Sequence, residues 1–386
     1  MPSRIAALDG VRGLAVLVVV LHNTVWVGDG SGQFLARLYG AVAATGWVGV
    51  QLFFVLSGFL ITGILVDSYG APGALPRFFA RRTLRIFPLY FVVIGATMVA
   101  AAVAGGDSEW ATAALRDQWA YWTYTSNWIE PFGGGTSVLS HVWSLAVEEQ
   151  FYVLWPLLLR VLGPQRLLAV AAALVVAGPF VRLLLHELGL PAAALYAFTV
   201  ARIDALALGG VLAMALRSAV WRPRLQKHAQ HLLLAALVAL LLLLIRQRGF
   251  HSTDLPVQIV GQTLVSIISA WIVYWAAAAH APDGLAARLL SRGWLPNVGS
   301  YSYAMYLLFY PVHRLLQPLA GDWVNSGSEP LYVVRLWLYA LLVLAITYLL
   351  ARITWVVIEA PALRLRDRLD QSGRFAFAAP LKGIRH

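Results

Sequence analysis

"LDGVRGLAVLVVVLHN", residues 8–23, has the apolarity of a membrane helix, yet it keeps Arg12 at its mouth and His22 inside the apolar run. An ionisable side chain at membrane depth costs about 3 kcal/mol or more. Such a group usually faces a bundle interior or a wet cavity and is a functional candidate. At about 1.5 Å per residue, His22 lies roughly 15 Å deeper than Arg12. If Arg12 marks one membrane surface, His22 reaches toward the midplane. An imidazole there could take a proton from a hydroxyl, and a neutral histidine bonded between helices would fit the same residue.

The rest of the chain has the same character. Its 386 residues are 60% hydrophobic and only 12% charged, against about a quarter charged in soluble domains. Apolar runs of helical length recur at roughly 10–27, 47–66, 86–105, 143–162, 166–185, 200–217, 231–247, 257–279, 298–318 and 332–357. These predict an all-α polytopic membrane protein of about ten spans. One membrane domain is expected over residues 1–360, followed by a basic tail over 361–386.

Cysteine is absent, which removes thiolate nucleophiles, disulfides and Cys-bearing metal sites. No other residue pattern marks a metal site. The net charge of +11 does not point to nucleic acid, because the basic residues sit in short segments between apolar runs. Arg77, Arg81, Arg82 and Arg85 follow span two, and Arg160 and Arg166 flank the turn between spans four and five. Arg217, Arg222, Arg224 and Lys227 follow span six, Arg288 and Arg292 follow span eight, and Arg364, Arg366 and Arg368 follow span ten. Alternating spans put all of them on one side, so both termini are expected in the cytoplasm. A cleaved signal peptide competes for the opening helix. Its small-residue string, Ala41 to Ala44, stands too far beyond the apolar stretch, so a retained first span is expected.

Four stretches stand out from the Leu, Ala and Val background. The first is the opening one. In "GWVGVQLFFVLSGFLITG", residues 46–63, the glycines permit close helix approach, and Ser57 beside Gly58 could open space to a ligand. Ser57 has no neighbouring base in the sequence, so no nucleophilic role is read from it. In "FFARRTLRIFPLYF", residues 78–91, Arg81 and Arg85 stand four apart on one helix face, with Arg82 beside them. Positive-inside anchoring explains part of this, and phosphate binding by guanidinium forks would use the same residues. "SHVWSLAVEEQFYVLWP", residues 140–156, places His141, Glu148, Glu149 and Gln150 at the expected outer end of span four. Before it, "WAYWTYTSNWIEPFGGG", residues 119–135, reads equally as an interfacial aromatic belt or as a stacking surface for a sugar.

Together these stretches resemble the membrane-bound acyltransferase-3 family, whose further blocks are matched by "ARIDALALGG", "VGSYSYAMYLLFYPV" and "VIEAP". The resemblance covers nearly the whole chain. It implies a ten-helix core, an acyl-coenzyme A donor (acetyl-CoA in the commonest case) entering from the cytoplasm, and a bacterial cytoplasmic membrane. It also implies that Arg81, Arg82 and Arg85 bind the donor phosphates, that Arg12 lines the cytoplasmic end of an acyl tunnel, and that His22 acts on the acceptor hydroxyl. Glu148 completes a Ser-x-x-x-Glu pattern with Ser144 and is chosen over Glu149 to tune His22 or orient the acceptor; Ser57 is grouped with the donor-binding residues. Two departures are visible. Arg12 and His22 are separated by nine residues instead of ten, which puts them about 80° apart on a regular helix. A π-bulge or an unwound turn would be needed to align them. Phe309 stands where relatives often carry a histidine.

The expected reaction is therefore O-acyl transfer to a cell-surface or lipid-linked saccharide, without an appended SGNH-type hydrolase domain. The alternatives are acylation of a macrolide-like small molecule and transport of anionic or acylated solutes. A homo-oligomer is left open.

Overall fold

A computed structural model describes residues 5–24, 44–106, 108–247, 250–278, 290–291, 293–326 and 329–371. Among these residues every regular element is helical and no strand occurs. The chain begins with α1 (Ala6–Thr24), then α2 (Val48–Asp67) behind a 3-10 turn, and α3 (Ala74–Ala104). Three short helices follow: α4 (Glu109–Arg116), α5 (Gln118–Trp122) and α6 (Ser126–Ile129). After them come α7 (Trp143–Glu187), the short α8 (Ala192–Ala197), α9 (Thr199–Arg217) and α10 (Trp221–Gln247). A π-turn leads into α11 (Gln262–Ala278), and α12 (Trp294–Ser300) and α13 (Ser302–Asn325) follow. The last stretch is α14 (Glu329–Thr354), a π-turn over Trp355–Glu359, and α15 (Ala360–Gln371).

Eight helical stretches among the described residues are long and apolar enough to cross a membrane. One of them, Ser140–Glu187, has 48 residues, more than twice what a hydrocarbon core of about 30 Å requires. Gly163 explains the excess. It adopts φ 72°, ψ 167° ahead of Pro164, so the helix is broken there and spans four and five meet at that break. The run expected near 298–318 is α13, whose His313, Arg314 and Asp322 dilute its apolarity. With the break counted and α13 added, each of the ten expected spans has its helix. The expected boundary at residue 360 falls inside a helical stretch that continues to Gln371, and the rest of the tail lies outside the described residues.

Glycine sets the central packing. A Cβ at Gly58 on α2 would collide with the Leu206 carbonyl on α9, and one at Gly209 would collide with the Val55 carbonyl on α2. The two backbones are in direct contact, as small-residue interfaces allow. Gly58 is thus a packing residue, and the ligand space expected beside it belongs to Ser57 alone. The periphery is different. α10 exposes Leu234, Leu237, Val238, Leu241, Leu242 and Ile245, the all-round apolarity of a lipid-facing helix.

Residues 108–142 pack onto the bundle. Tyr121 and Tyr124 are buried, and the Tyr124 ring stacks on Tyr90 with centroids 4.1 Å apart. Gln150 on α7 donates to the Tyr124 carbonyl at 2.8 Å and to Asn127 Oδ1 at 2.9 Å. Trp119, Trp122, Trp128 and Phe132 remain exposed, so the aromatic segment divides between core and surface. The Arg116 guanidinium hydrogen-bonded to Asp117 holds that carboxyl below its usual range, while burial pushes Glu130 well above the carboxylate range.

Candidate functional site

Five helices line one pocket, and in each of four helices the lining residues repeat at three- and four-residue intervals. α2 contributes Val50, Phe53, Phe54 and Ser57; α3 contributes Arg82, Arg85 and Ile86; α7 contributes Ser144, Leu145, Glu148 and Glu149. α13 adds Ser302, Tyr303 and Tyr306, and α1 adds Arg12. Positions three and four apart share one helix face, so each element turns a single stripe toward the cavity. The empty space, counting that at its mouth, is about 730 Å³.

Glu148 is the most fully engaged group. Ser57 Oγ donates to its Oε1 at 2.8 Å, and the Tyr152 hydroxyl donates to its Oε2 at 2.8 Å. The Arg82 guanidinium lies over the Tyr152 ring, 3.7 Å from its centroid, a favourable cation–π geometry. Arg82 keeps a buried Nε without a hydrogen-bond partner. Arg12 pairs with Asp9 at 3.0 Å, and both Arg82 and Arg12 act electrostatically on Glu148. Glu149 is also buried in the pocket and accepts no hydrogen bond among the described residues. Ser144 Oγ and the Tyr306 hydroxyl are bonded to each other, and Tyr306 also donates to the His141 carbonyl at 3.1 Å.

The structure therefore brings together Arg12, Ser57, Arg82, Arg85 and Glu148. It sets two expected site residues apart. Arg81 is exposed and does not line the pocket, and the pair sharing the pocket is Arg82 and Arg85, three apart. His22 is half-buried at the far end of α1, where a Cβ on Gly46 would meet its own Cβ, and it does not line the pocket. α1 is a regular α-helix throughout, with neither π-bulge nor unwound turn within it, so Arg12 and His22 keep their angular offset. Glu148 is not at an outer helix end beside His22. Trp143 packs edge-on against Phe54, seven positions into α2, at 6.0 Å, so α7 starts inside the bundle and its glutamates meet the arginines. Tyr152, missed in the sequence, stands four residues after Glu148, a helical spacing that could have revealed it.

A second ionic group lies between α7, α9 and α11. Arg182 Nη1 meets Asp204 Oδ2 at 2.9 Å with side chains 0% and 1% exposed. Arg182 also donates to the Ala201 carbonyl and to Thr263 Oγ1, each at 2.6 Å. Arg202 donates to Gln51 and is flanked by Phe54, Trp143 and Tyr196. His141 Nε2 donates to the Leu307 carbonyl at 3.1 Å. That carbonyl has no helical N–H partner four residues on, because position 311 is proline.

Comparisons with known proteins agree with this architecture. The sequence model of a family described as an acyltransferase domain matches residues 5–354. YrhL of Bacillus subtilis (strain 168), provisionally named a peptidoglycan O-acetyltransferase, is 31% identical over 380 residues, covering 92% of this chain and 54% of that protein. The O-acetyltransferase OatA of Staphylococcus aureus (strain NCTC 8325) is 27% identical over 405 residues, covering 99% and 60%. The peptidoglycan O-acetyltransferase OatA of Listeria monocytogenes is 28% identical over 374 residues, covering 92% and 55%. The chain thus spans between half and two thirds of these relatives' lengths. No solved structure matches. With a family match across nearly all of its helices, the chain belongs to the acyltransferase-3 family of integral membrane proteins.

Proposed function

We propose that this chain is an O-acyltransferase. It takes an acyl group, acetyl in the simplest case, from acyl-coenzyme A and passes it to a hydroxyl of a cell-surface or lipid-linked saccharide. The observation that carries this reading is the convergence of three guanidiniums, a serine and a hydrogen-bonded carboxylate on one pocket. Coenzyme A is a polyanion, and arginine meets phosphate through a planar fork of donors. Arg82 and Arg85 in the pocket, with Arg81 exposed on the same helix, suit a donor arriving from that end. The positive-inside pattern makes that end cytoplasmic, in a bacterial cytoplasmic membrane. The thioester supplies the driving force, while the pocket aligns the reacting atoms and limits access of water.

Glu148 is then the carboxylate nearest the reacting atoms. His22 is the acceptor-side residue: Gly46, its neighbour, lies in the 3-10 turn ahead of α2, eleven positions before Ser57, roughly 16 Å along the chain's helical path. The names of the relatives support a glycan acceptor.

The test uses purified protein in nanodiscs, with calorimetric titration of acetyl-CoA and release of free thiol in the presence of a mixed glycan pool. The expected result is donor binding together with acceptor-dependent thiol release, and His22→Ala should lose the release while keeping the binding. Absence of donor binding by folded wild type would overturn the reading and favour transport of an anionic solute.

A further inference from the structure

We infer that Ser57 carries the acyl group as a covalent ester between donor and acceptor, so that transfer runs in two half-reactions; the inference rests on the acyltransferase reading above. Nucleophilic serines are recognised by a base within hydrogen-bond reach and a third group that orients the base. Ser57 has both. Its Oγ lines the pocket and donates to Glu148 Oε1 at 2.8 Å, and Tyr152 holds Glu148 Oε2 at 2.8 Å. The base is absent from the neighbourhood of Ser57 in sequence and is supplied by α7, 91 positions away.

The surroundings fit the charge changes. In the first half-reaction Ser57 Oγ attacks the thioester carbonyl carbon as its proton moves to Glu148. The tetrahedral intermediate then collapses, the carbon–sulfur bond breaks, and the leaving thiolate takes the proton from Glu148. Ester, free coenzyme A and the Glu148 carboxylate result. In the second half-reaction the acceptor hydroxyl attacks the ester, Glu148 takes its proton, and Ser57 Oγ leaves with that proton. Arg12 and Arg82, both lining the cavity, are the donors available to the oxyanion in each half. Rigidity comes from the next residue, since Gly58 lies against the Leu206 backbone and fixes this turn of α2.

A serine ester also suits the layout of the helix bundle. Arg12 of the pocket and His22 lie ten positions apart along α1, roughly 15 Å. With the acyl group stored on Ser57, coenzyme A can leave before the acceptor hydroxyl reaches the pocket, and the two need not be bound together. A purely structural serine would satisfy the Glu148 carboxylate equally well, so the test must detect the ester itself.

Wild type in nanodiscs is mixed with excess acetyl-CoA and no acceptor, and thiol release is followed before acid quenching and peptide mapping. The expected result is a burst approaching one thiol per protein, with acetyl on the peptide containing Ser57. Ser57→Ala should keep donor binding and lose burst and label, and Glu148→Gln should slow the burst by about 100-fold or more. Ser57→Cys should trap an acetyl group that neutral hydroxylamine removes. Acceptor-dependent turnover by wild type without a labelled Ser57, or turnover by Ser57→Ala at the wild-type rate, overturns the inference and leaves the acyltransferase reading standing. No thiol release with or without acceptor overturns both.

Discussion

Two groups of charges are buried in this bundle, and they are built on opposite plans. Around Arg182 the charges are closed: Asp204 and Thr263 take donors from its two Nη atoms, its Nε alone has no partner, and side-chain exposure is 0% for Arg182 and 1% for Asp204. Around Glu148 the charges are open. Three arginines and two glutamates share a cavity, and Glu149 accepts no hydrogen bond among the described residues. A paired charge with no exposed side-chain surface holds helices together, whereas charges that line a cavity are within reach of a ligand. In a membrane, burial of a charge does not by itself separate architecture from chemistry; what distinguishes these two groups is whether the charge lines a cavity.

The sharpest way to break this contrast is to damage the closed group. Asp204→Ala leaves Arg182 uncompensated and should destabilise the protein by about 3 kcal/mol or more, read as a lower thermal midpoint in detergent. Next is the open group: Glu148→Gln should keep the wild-type midpoint while acceptor-dependent thiol release falls about 100-fold, equivalent to about 2.7 kcal/mol. If Glu148→Gln unfolds and Asp204→Ala does not, the contrast is reversed. Arg82→Ala should weaken acetyl-CoA binding about tenfold in calorimetry, near 1.4 kcal/mol. The smallest effect is outside the membrane. Burial raises the Glu130 carboxyl, so the fold favours its protonated form. Stability from this group is fully present below the unfolded value, about 4.3, and is lost as pH rises toward the folded value. Amide exchange in residues 108–142 should therefore quicken as pH rises, after correction for intrinsic rates, and Glu130→Gln should flatten that trend.

Much of the plan was legible in the chain. The ten apolar runs have helices, and the division between spans four and five falls at Gly163, where Pro164 made a break visible. The motifs carrying Arg12, Ser57, Arg82, Arg85 and Glu148 do converge. Depth and facing were harder to read. The apolar run after residue 143 looks like a span starting at the membrane surface, because nothing in its periodicity shows that Tyr121, Tyr124 and Asn127 of the preceding segment are buried against the bundle. Arg81 and Arg85 share a face by spacing, but so do Arg82 and Arg85, and only the packing of α3 decides which pair turns inward. The base beside Ser57 could not be found by scanning neighbours, since it comes from another helix. The offset between Arg12 and His22, by contrast, was visible in their spacing and persists in the regular α1.

Pro311 has a consequence of its own. In α13 alone it is a flaw, a turn with one backbone bond missing. In the assembled bundle the vacated Leu307 oxygen becomes the anchor for His141 at the threshold of α7. Local weakness has been converted into a long-range tie, made between residues 166 positions apart in sequence. Restoring an N–H at position 311 would close the helix and ask the same oxygen to accept a second hydrogen bond through its other lone pair, so that His141 would share its anchor.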